Sequence, residues 1–331
     1  MFSAEIGVDL GTANVFIYLK GEGIVLREPS VIAYHQGTNR VLAVGREAQQ
    51  MIGRTPADVV AVQPLRAGVV ADYQVAQIML QHFIRRAAPG RLRPFRPRVL
   101  LCVPSASTDV ERRAVVEAAR EAGAKEVQLV SEPMAAAIGA GLDVVSPRGS
   151  MVVDVGGGTT DIGVISLGDE VTSHSARVGG NDFDESIVRC VRRAYNLIIG
   201  ERMAEEVKVA FGSLNSDVSG TMEVRGRDVV TGLPKAAHIS ARDVSAALAE
   251  IAVMMVDAVR QVLERVPPEL AADISEDGIA LTGGGAQLGG LRELLAKETG
   301  LRVNLVEDPC SSVALGMGMI LEGKVKLNRF L

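Results

Sequence analysis

Two glycine-rich turns that carry acidic and hydroxyl side chains stand far apart in the chain. The first reads DLGTAN from Asp9 to Asn14, and the second reads DVGGGTTD from Asp154 to Asp161. Each turn follows a short apolar run and precedes more β-branched and apolar residues, which predicts strand, tight turn, strand at both places. Backbone N–H groups and hydroxyls in such a turn can bind phosphate oxygens, and an acid at its edge can hold a hydrated cation. Two such turns that faced each other would clamp a polyphosphate from opposite sides.

The alternative for either turn alone is purely structural. Gly and Asp are favoured in tight turns for steric reasons, so a single D-x-G-T sequence is most often only a turn. The second copy changes this interpretation, because each copy begins a similar run of three strands. The pair therefore predicts a duplicated fold with a nucleotide between its halves.

Length and composition limit the class of protein. The chain has 331 residues, enough for about two domains, and 47% of its residues are hydrophobic. A net charge of −5 excludes a general nucleic-acid binder on electrostatic grounds, and 3% aromatic residues disfavour a base-stacking surface. Cys102, Cys190 and Cys310 lack metal-type spacing and are expected to be reduced thiols. We expect no membrane-spanning segment and no signal peptide.

The apolar spacing predicts strands and helices in alternation. Residues 5–44 are predicted to be strands, and residues 59–70 to be extended with breaks at Pro64 and Gly68. Asp72 is a plausible N-cap for the helix that follows it. The spacing predicts a short helix over residues 46–53 and further helices over 72–86, 107–122, 182–195, 201–211 and 240–266, the last being the longest. The second half repeats the βα plan of the first, which favours doubly wound sheets.

Several segments together carry a resemblance to a known family. They are DLGTAN, GEGIVLREPS, VLAVGREA, SEPMAAA, DVGGGTTDI, GGNDFD and LTGGGAQ, in this order. With them the chain resembles the actin, sugar-kinase and heat-shock-chaperone ATPase superfamily, and more narrowly the MreB family of bacterial actin homologues, from about residue 5 to residue 325. The resemblance implies an α/β actin-like ATPase fold, with two duplicated ribonuclease-H-like domains and a nucleotide cleft between them.

The resemblance also implies a division of the chain, with a small subdomain inserted in each domain. Residues 1–32, 66–145 and 311–331 would form the core of domain I, and 33–65 its small subdomain. Residues 146–181 and 243–310 would form the core of domain II, and 182–242 its small subdomain.

By the same resemblance, Glu132 would orient or deprotonate the attacking water, and Thr160 or its neighbour Thr159 would help to place that water. Asp9 and Asp154 would hold Mg²⁺, mostly through water. The nucleotide-binding residues that the resemblance implies are Thr12, Ala13, Asn14, Gly156, Gly157, Gly158, Thr159, Gly180, Glu205, Glu206, Val207, Lys208, Gly283, Gly284, Gly285 and Ala286.

Three of these assignments have structural alternatives. Glu132 could be a helix cap or a solvated acid before Pro133. Glu205 and Lys208 could form an ordinary surface pair on one helix face. The glycines from Gly283 could be a simple strand-to-helix turn.

One stretch has an unusual local charge for an acidic protein. It contains Arg85, Arg86, Arg91, Arg93, Arg96 and Arg98 with no acid among them. An apolar tip ringed by arginines suits the headgroup region of an anionic bilayer, and members of the resembled family associate with membranes. We expect Leu92 and Phe95, together with Met1 and Phe2, to insert shallowly. The alternative is a solvated loop with a packed phenylalanine.

The expected function follows from the resemblance. It is an ATP-binding, slowly ATP-hydrolysing protein that polymerises into filaments on the inner face of the cell membrane and helps to determine rod shape by organising cell-wall synthesis. The expected partners are further copies of itself, the anionic inner membrane surface and membrane proteins of the elongation machinery, but no nucleic acid. The alternatives are a metabolite kinase, or a nucleotide-gated chaperone or scaffold that does not polymerise.

Overall fold

The computed structural model describes residues 4–87, 96–215, 217–327 and 330–331. In chain order its strands are β1 (Glu5–Leu10), β2 (Asn14–Leu19), β3 (Gly23–Pro29), β4 (Ile32–His35), β5 (Arg40–Val44), β6 (Val59–Val62), β7 (Leu65–Arg66), β8 (Val69–Val70), β9 (Arg98–Val103), β10 (Glu126–Ser131), β11 (Ser150–Val155), β12 (Thr160–Ser166), β13 (Asp169–Ala176), β14 (Leu197–Ile198), β15 (Thr221–Asp228), β16 (Pro234–Ser240), β17 (Ile279–Thr282) and β18 (Val303–Leu305). The helices are α1 (Arg46–Gln49), α2 (Tyr73–Ala87), α3 (Asp109–Glu121), α4 (Glu132–Gly139), α5 (Gly180–Tyr195), α6 (Glu201–Phe211), α7 (Ala241–Leu263), α8 (Pro268–Asp277), α9 (Leu291–Thr299) and α10 (Ser312–Leu321).

Two five-stranded sheets have the same topology. The first has the strand order β10-β9-β1-β2-β3, and the second has the order β13-β12-β11-β17-β18. In each sheet the first three strands along the chain pair antiparallel, and the two later strands add in parallel. This repetition confirms the predicted α/β fold with duplicated domains.

Each large sheet is accompanied by a small one. The first small sheet has the order β5-β4-β6, and the second has the order β14-β15-β16. They fall almost entirely within 33–65 and 182–242, the ranges expected for small subdomains, with β4 starting one residue earlier at Ile32. The boundaries of the domains stay predictions.

The ends of the helices can be compared with the predictions. The side chain of Asp72 accepts a hydrogen bond from the Val75 N–H at 3.1 Å, so its predicted role as a cap is confirmed. The predicted helix 46–53 is too long, because α1 ends at Gln49 and turns carry the chain on to Gly53. The predicted helix 240–266 ends at Leu263, and Pro268 begins α8, since proline suits the first turn of a helix.

Helices α4 and α10 cross in close contact where the two halves join. Gly139 and Gly316 lie in the contact, where an added Cβ on either would collide with backbone of the other helix. Helix α4 precedes β11 of the second sheet, while α10 follows that sheet in sequence and packs on β1 and β2 of the first. The chain therefore passes between the halves twice, beside one helix pair.

Candidate functional site

The two glycine-rich turns meet at the ends of β1 and β11. A Cβ added to Gly157 would lie 2.5 Å from the Cβ of Ala13. A Cβ added to Gly158 would lie 2.7 Å from Thr12 Oγ1. Because real Cβ atoms do not approach so closely, only glycine allows the second turn to lie this near the first. The fold thus brings together two segments that are about half the chain apart in sequence.

Backbone hydrogen bonds hold each turn in shape. The Gly11 N–H donates to Asn14 O at 3.1 Å, and the Gly156 N–H donates to Thr159 O at 2.8 Å. The start of α5 secures the second turn further, since the N–H groups of Gly180 and Asn181 donate to Gly156 O and Gly157 O. Gly180 therefore borders the second turn directly.

Four carboxyl groups lie beneath the turns. They belong to Asp9 on β1, Glu132 at the start of α4, Asp154 on β11 and Asp161 on β12. Burial raises the pKa of Asp9 to about 6. Burial also raises the pKa of Glu132 and of Asp154, and the neighbouring acids raise both further. These groups are close enough to disfavour each other's ionisation.

This acidic group fits a hydrated cation better than a directly bound one. Among the described residues, no three His, Cys, Asp or Glu side chains are arranged to hold a metal ion directly. The charged neighbours that shift the pKa values of Glu132 and Asp154 are all acids, so positive charge in the cleft would relieve their repulsion. Mg²⁺ suits such a site, because it keeps several of its waters. Asp9 and Asp154, the residues predicted to hold Mg²⁺, both belong to this acidic group, and their role as its ligands stays a prediction.

Asp161 received no role in the sequence analysis, although it ends the second motif. Its side chain is 1% exposed, and burial raises its pKa. Thr159 and Ser175 are among the polar groups that oppose this rise. In β12 it pairs with Asp154 of β11, so the two acids are neighbours across the strands. The sequence did contain a signal for Asp161. It ends the same strand–turn–strand motif that Asp154 begins, so a symmetric hairpin places the two acids opposite each other.

The two threonines of the second turn differ in their surroundings. Thr160 is fully buried, and its hydroxyl donates to Val178 O at 2.8 Å. Thr159 lies on the side of the first domain, with its Cγ2 2.8 Å from where a Gly68 Cβ would be. The Gly68 N–H in turn donates to Thr12 Oγ1 at 3.0 Å. Thr159 is therefore the threonine at the contact between the halves, while Thr160 secures β12.

The predicted nucleotide-binding residues of α6 differ in their burial and in their partners. Lys208 Nζ lies 2.7 Å from Asp184 Oδ2 and donates to Gly180 O at 2.9 Å. Its ion-pair partner is thus Asp184 on α5 rather than Glu205. Val207 is fully buried in the core of the second domain, so its side chain does not face the cleft. Glu205 and Glu206 are exposed, and Glu206 accepts a hydrogen bond from Arg202.

The third glycine segment packs against the second turn. Gly283 has φ +86°, and an added Cβ would lie 2.5 Å from Asp154 Oδ1. Gly285 approaches the Val155 side chain equally closely, whereas Ala286 is buried in the core. Gly284 lies between them, and an added Cβ there would make only an ordinary van der Waals contact with Cys310 Sγ at 3.7 Å. The strict need for glycine at Gly283 therefore comes from its approach to the Val155 carbonyl oxygen, which an added Cβ would meet even more closely, and to Asp154, and its positive φ is a second reason.

The predicted membrane contacts Met1, Phe2, Leu92 and Phe95 lie outside the described residues. Of the nearby arginines, Arg86 pairs with Glu28 at 2.8 Å and Arg98 with Glu126 at 3.1 Å. Part of the positive charge in this stretch is therefore balanced by acids from other strands. Within the described ranges, no helix has both the length and the apolar character required to cross a bilayer.

The duplicated sheets with a glycine-lined cleft between them define an actin-like protein. The chain superimposes on a MamK double helical filament subunit with a TM-score of 0.82 at 23% identity, over 97% of this chain and 99% of that one. It superimposes on MreB5 of Spiroplasma citri bound to AMPPNP with a TM-score of 0.91 at 40% identity, over 98% and 97%. A second structure of MreB5, bound to ADP, gives the same TM-score and identity.

The sequence comparisons specify the family. The family described as MreB/Mbl protein matches residues 3–329. Cell shape-determining protein Mbl of Bacillus subtilis is 49% identical over 328 residues, which cover 99% of this chain and 98% of Mbl. Cell shape-determining protein MreB of Escherichia coli is 51% identical over 327 residues, which cover 97% and 94%. The chain belongs to the MreB/Mbl family of actin-like, cell shape-determining proteins.

Proposed function

We propose that this protein binds Mg-ATP in the cleft between its halves, hydrolyses it slowly and polymerises into filaments that guide cell-wall synthesis. The observation that carries the proposal is the close approach of Gly157 to Ala13 above the buried acids. The nucleotide-bound MreB5 structures support it, since they share the fold at 40% identity.

The residues divide the work of phosphoryl transfer between them. Backbone N–H groups of both turns, with the hydroxyls of Thr12 and Thr159, bind the phosphates. Asp9 and Asp154 would hold Mg²⁺, mostly through its waters, and the ion would supply positive charge beside the phosphates. Glu132 orients the attacking water and accepts its proton. Phosphoryl transfer depends chiefly on positioning and charge neutralisation, so this small set is sufficient.

Assembly would follow from the same geometry. The phosphates contact one turn from each half, so loss of the terminal phosphate removes a link between the halves. A change in the angle between the halves then alters the surfaces that subunits use to bind each other. Hydrolysis in this way limits the lifetime of a filament.

The test combines filament formation with phosphate release. Purified protein is incubated with Mg-ATP, Mg-ADP or ATP with EDTA, and followed by pelleting, electron microscopy and a phosphate assay. Glu132→Gln should keep nucleotide binding and assembly but release phosphate at least about tenfold more slowly. Asp154→Ala should lose both filament assembly and phosphate release. Glu185→Gln, on the exposed face of α5, is the control. Monomers that turn over ATP at high protein concentration would contradict the filament and favour a metabolite kinase.

The filaments are proposed to lie on the inner face of the cell membrane, where membrane proteins of the elongation machinery bind them. Apolar side chains among arginines, at Leu92 and Phe95, with Met1 and Phe2, would insert into the headgroup region. Co-sedimentation with anionic vesicles tests this proposal, with Phe95→Ser as the variant and Phe330→Ser as a control aromatic change. If Phe95→Ser bound the vesicles as well as the wild type does, the segment around Phe95 would have no role in membrane binding.

A further inference from the structure

The N-terminus of α4 is held by a side chain from the opposite half of the molecule. Ser131, the last residue of β10, is the N-cap of α4, and its hydroxyl oxygen accepts the Met134 N–H at 3.3 Å. The same hydroxyl donates to Glu170 Oε1 on β13. A serine hydroxyl has one hydrogen and two lone pairs, so it can make both bonds at once. Glu170 thereby fixes the direction of the cap.

This bond joins the outer edges of the two large sheets. β10 is the edge strand of the first sheet, and β13 is the edge strand of the second. Ser131 is 5% exposed, and the pair is partly buried, where a hydrogen bond to a carboxylate is strong. A packing contact lies beside it, since a Cβ on Gly163 of β12 would be 2.6 Å from Pro133 Cβ. The first turn of α4 therefore sits against the second domain at two neighbouring points.

Glu132 stands between these two contacts in the chain. It follows Ser131 and precedes Pro133, and its carboxyl lies with Asp9, Asp154 and Asp161. A shift of the first turn of α4 would move this carboxyl relative to the phosphate-binding turns. Displacement of a catalytic group by about 1 Å can slow a reaction about a hundredfold.

We propose that Glu170 is a positioning residue for hydrolysis: by accepting the hydrogen bond of Ser131, it holds Glu132 in place against the second domain. The inference rests on the proposed function, because Glu170 assists hydrolysis only through the role proposed for Glu132. It also makes the rate of hydrolysis depend on the arrangement of the halves, since the bond forms only when β10 and β13 are side by side.

The experiment compares Glu170→Ala, Glu170→Gln and Val171→Ala in the full chain. The amide oxygen of glutamine can still accept from Ser131, while alanine cannot. Val171 is the neighbour of Glu170 on β13 and is 44% exposed, so its change controls for damage to this edge strand. The measurements are the maximal rate of phosphate release at saturating Mg-ATP, the nucleotide Kd by fluorescence and the thermal midpoint.

Glu170→Ala should lower the maximal rate about tenfold or more, while nucleotide Kd and the assembly that ATP induces stay within about twofold of the wild type. Glu170→Gln should recover most of the rate. Ser131→Ala and the double variant Ser131→Ala/Glu170→Ala should be equally slow, because both remove the same bond.

Several results would overturn the inference. They are a wild-type rate in Glu170→Ala, a rate in Glu170→Gln as low as in alanine, or an equal loss in Val171→Ala. If wild-type protein released no phosphate, the proposed function would fail before this comparison began, so the two failures are distinguishable.

Discussion

Lys208 and Asp184 form an ion pair that ties α6 to α5, with Nζ 2.7 Å from Oδ2. Their side chains are only 18% and 13% exposed. Burial raises the pKa of Asp184 to about 6 even though Lys208 lowers it, and Glu205 and Glu201 raise it further. The lysine is thus the main compensation for a carboxylate that the fold has taken out of water.

Lys208→Met should lower the free energy of unfolding by about 3 kcal/mol at pH 7.5, because it leaves the Asp184 carboxylate buried and unpaired. A carboxyl whose pKa is raised in the folded state loses stability as the pH rises from 3.8 to that pKa, and the loss is constant above it. Without Lys208 the pKa of Asp184 lies higher still, so the cost of the substitution should shrink as the pH falls toward about 6 and nearly vanish below it. Urea denaturation at several pH values measures it.

The double variant Lys208→Met/Asp184→Asn separates the pair from other roles of Lys208. With no carboxylate left to bury, it should recover most of the stability lost in the single variant. Purely additive losses would show that the two side chains do not depend on each other.

Gly157→Ala should disrupt the contact between the turns. Its Cβ would collide with Ala13, so the turns must separate, at a cost of about 1–3 kcal/mol. We expect a lower thermal midpoint and loss of assembly with Mg-ATP. Gly37→Ala is the matched control, because its Cβ would meet only His35, at 3.9 Å. Normal assembly of Gly157→Ala would mean that the turns need not touch.

Asp9→Asn should stabilise the nucleotide-free protein while removing its response to Mg-ATP. The raised pKa of Asp9, about 6, means that ionising it at pH 7.5 costs up to about 3 kcal/mol relative to the unfolded chain. Asparagine carries no charge, and its oxygen can still accept the Cys102 thiol hydrogen, which now reaches Asp9 Oδ1 at 3.3 Å. Thermal midpoints with EDTA and with Mg-ATP check both parts. A lower midpoint in EDTA would contradict the burial argument.

Gly316→Ala and Gly318→Ala should differ in severity, although both lie in α10. The added Cβ at Gly316 meets the carbonyl oxygen of Ala135 in α4, and backbone cannot move aside. At Gly318 the obstacle is the ring of Tyr18, a side chain that can adjust. We expect little folded protein from Gly316→Ala and a loss of about 1–3 kcal/mol from Gly318→Ala. Soluble yield and thermal midpoint distinguish them, and equal losses would mean that the helices can separate.

The parts of the fold that sequence predicted are those with local causes. The paired turns, the Asp72 cap and the limits of α6 all depend on residues within a few positions of each other. The symmetry of the two turns extended this to the duplicated sheets. The sequence did not predict the length of α1, because the end of that helix depends on packing rather than on the local spacing of apolar residues.

The parts of the site that sequence did not predict depend on contacts across the fold. Lys208 was assigned with Glu205 on its own helix, yet its partner is Asp184 on another. Val207 belonged to a motif segment, but the helical period turns its side chain into the core. Asp161 acquires its surroundings only when β12 pairs with β11, and Glu170 meets Ser131 only when the two sheets lie edge to edge.

The two passages of the chain beside the α4–α10 crossing restrict how the molecule can deform. A single connection would leave the halves free to twist, slide and bend, whereas two adjacent ones leave rotation about the line through them as the one soft coordinate. The glycine contact at Gly139 and Gly316 belongs to that crossing, whereas the two glycine-rich turns belong to other segments, Asp9 to Asn14 and Asp154 to Asp161. A small change between the turns is therefore a lever motion, whose displacement grows with distance from the axis and is largest at the far ends of the small subdomains.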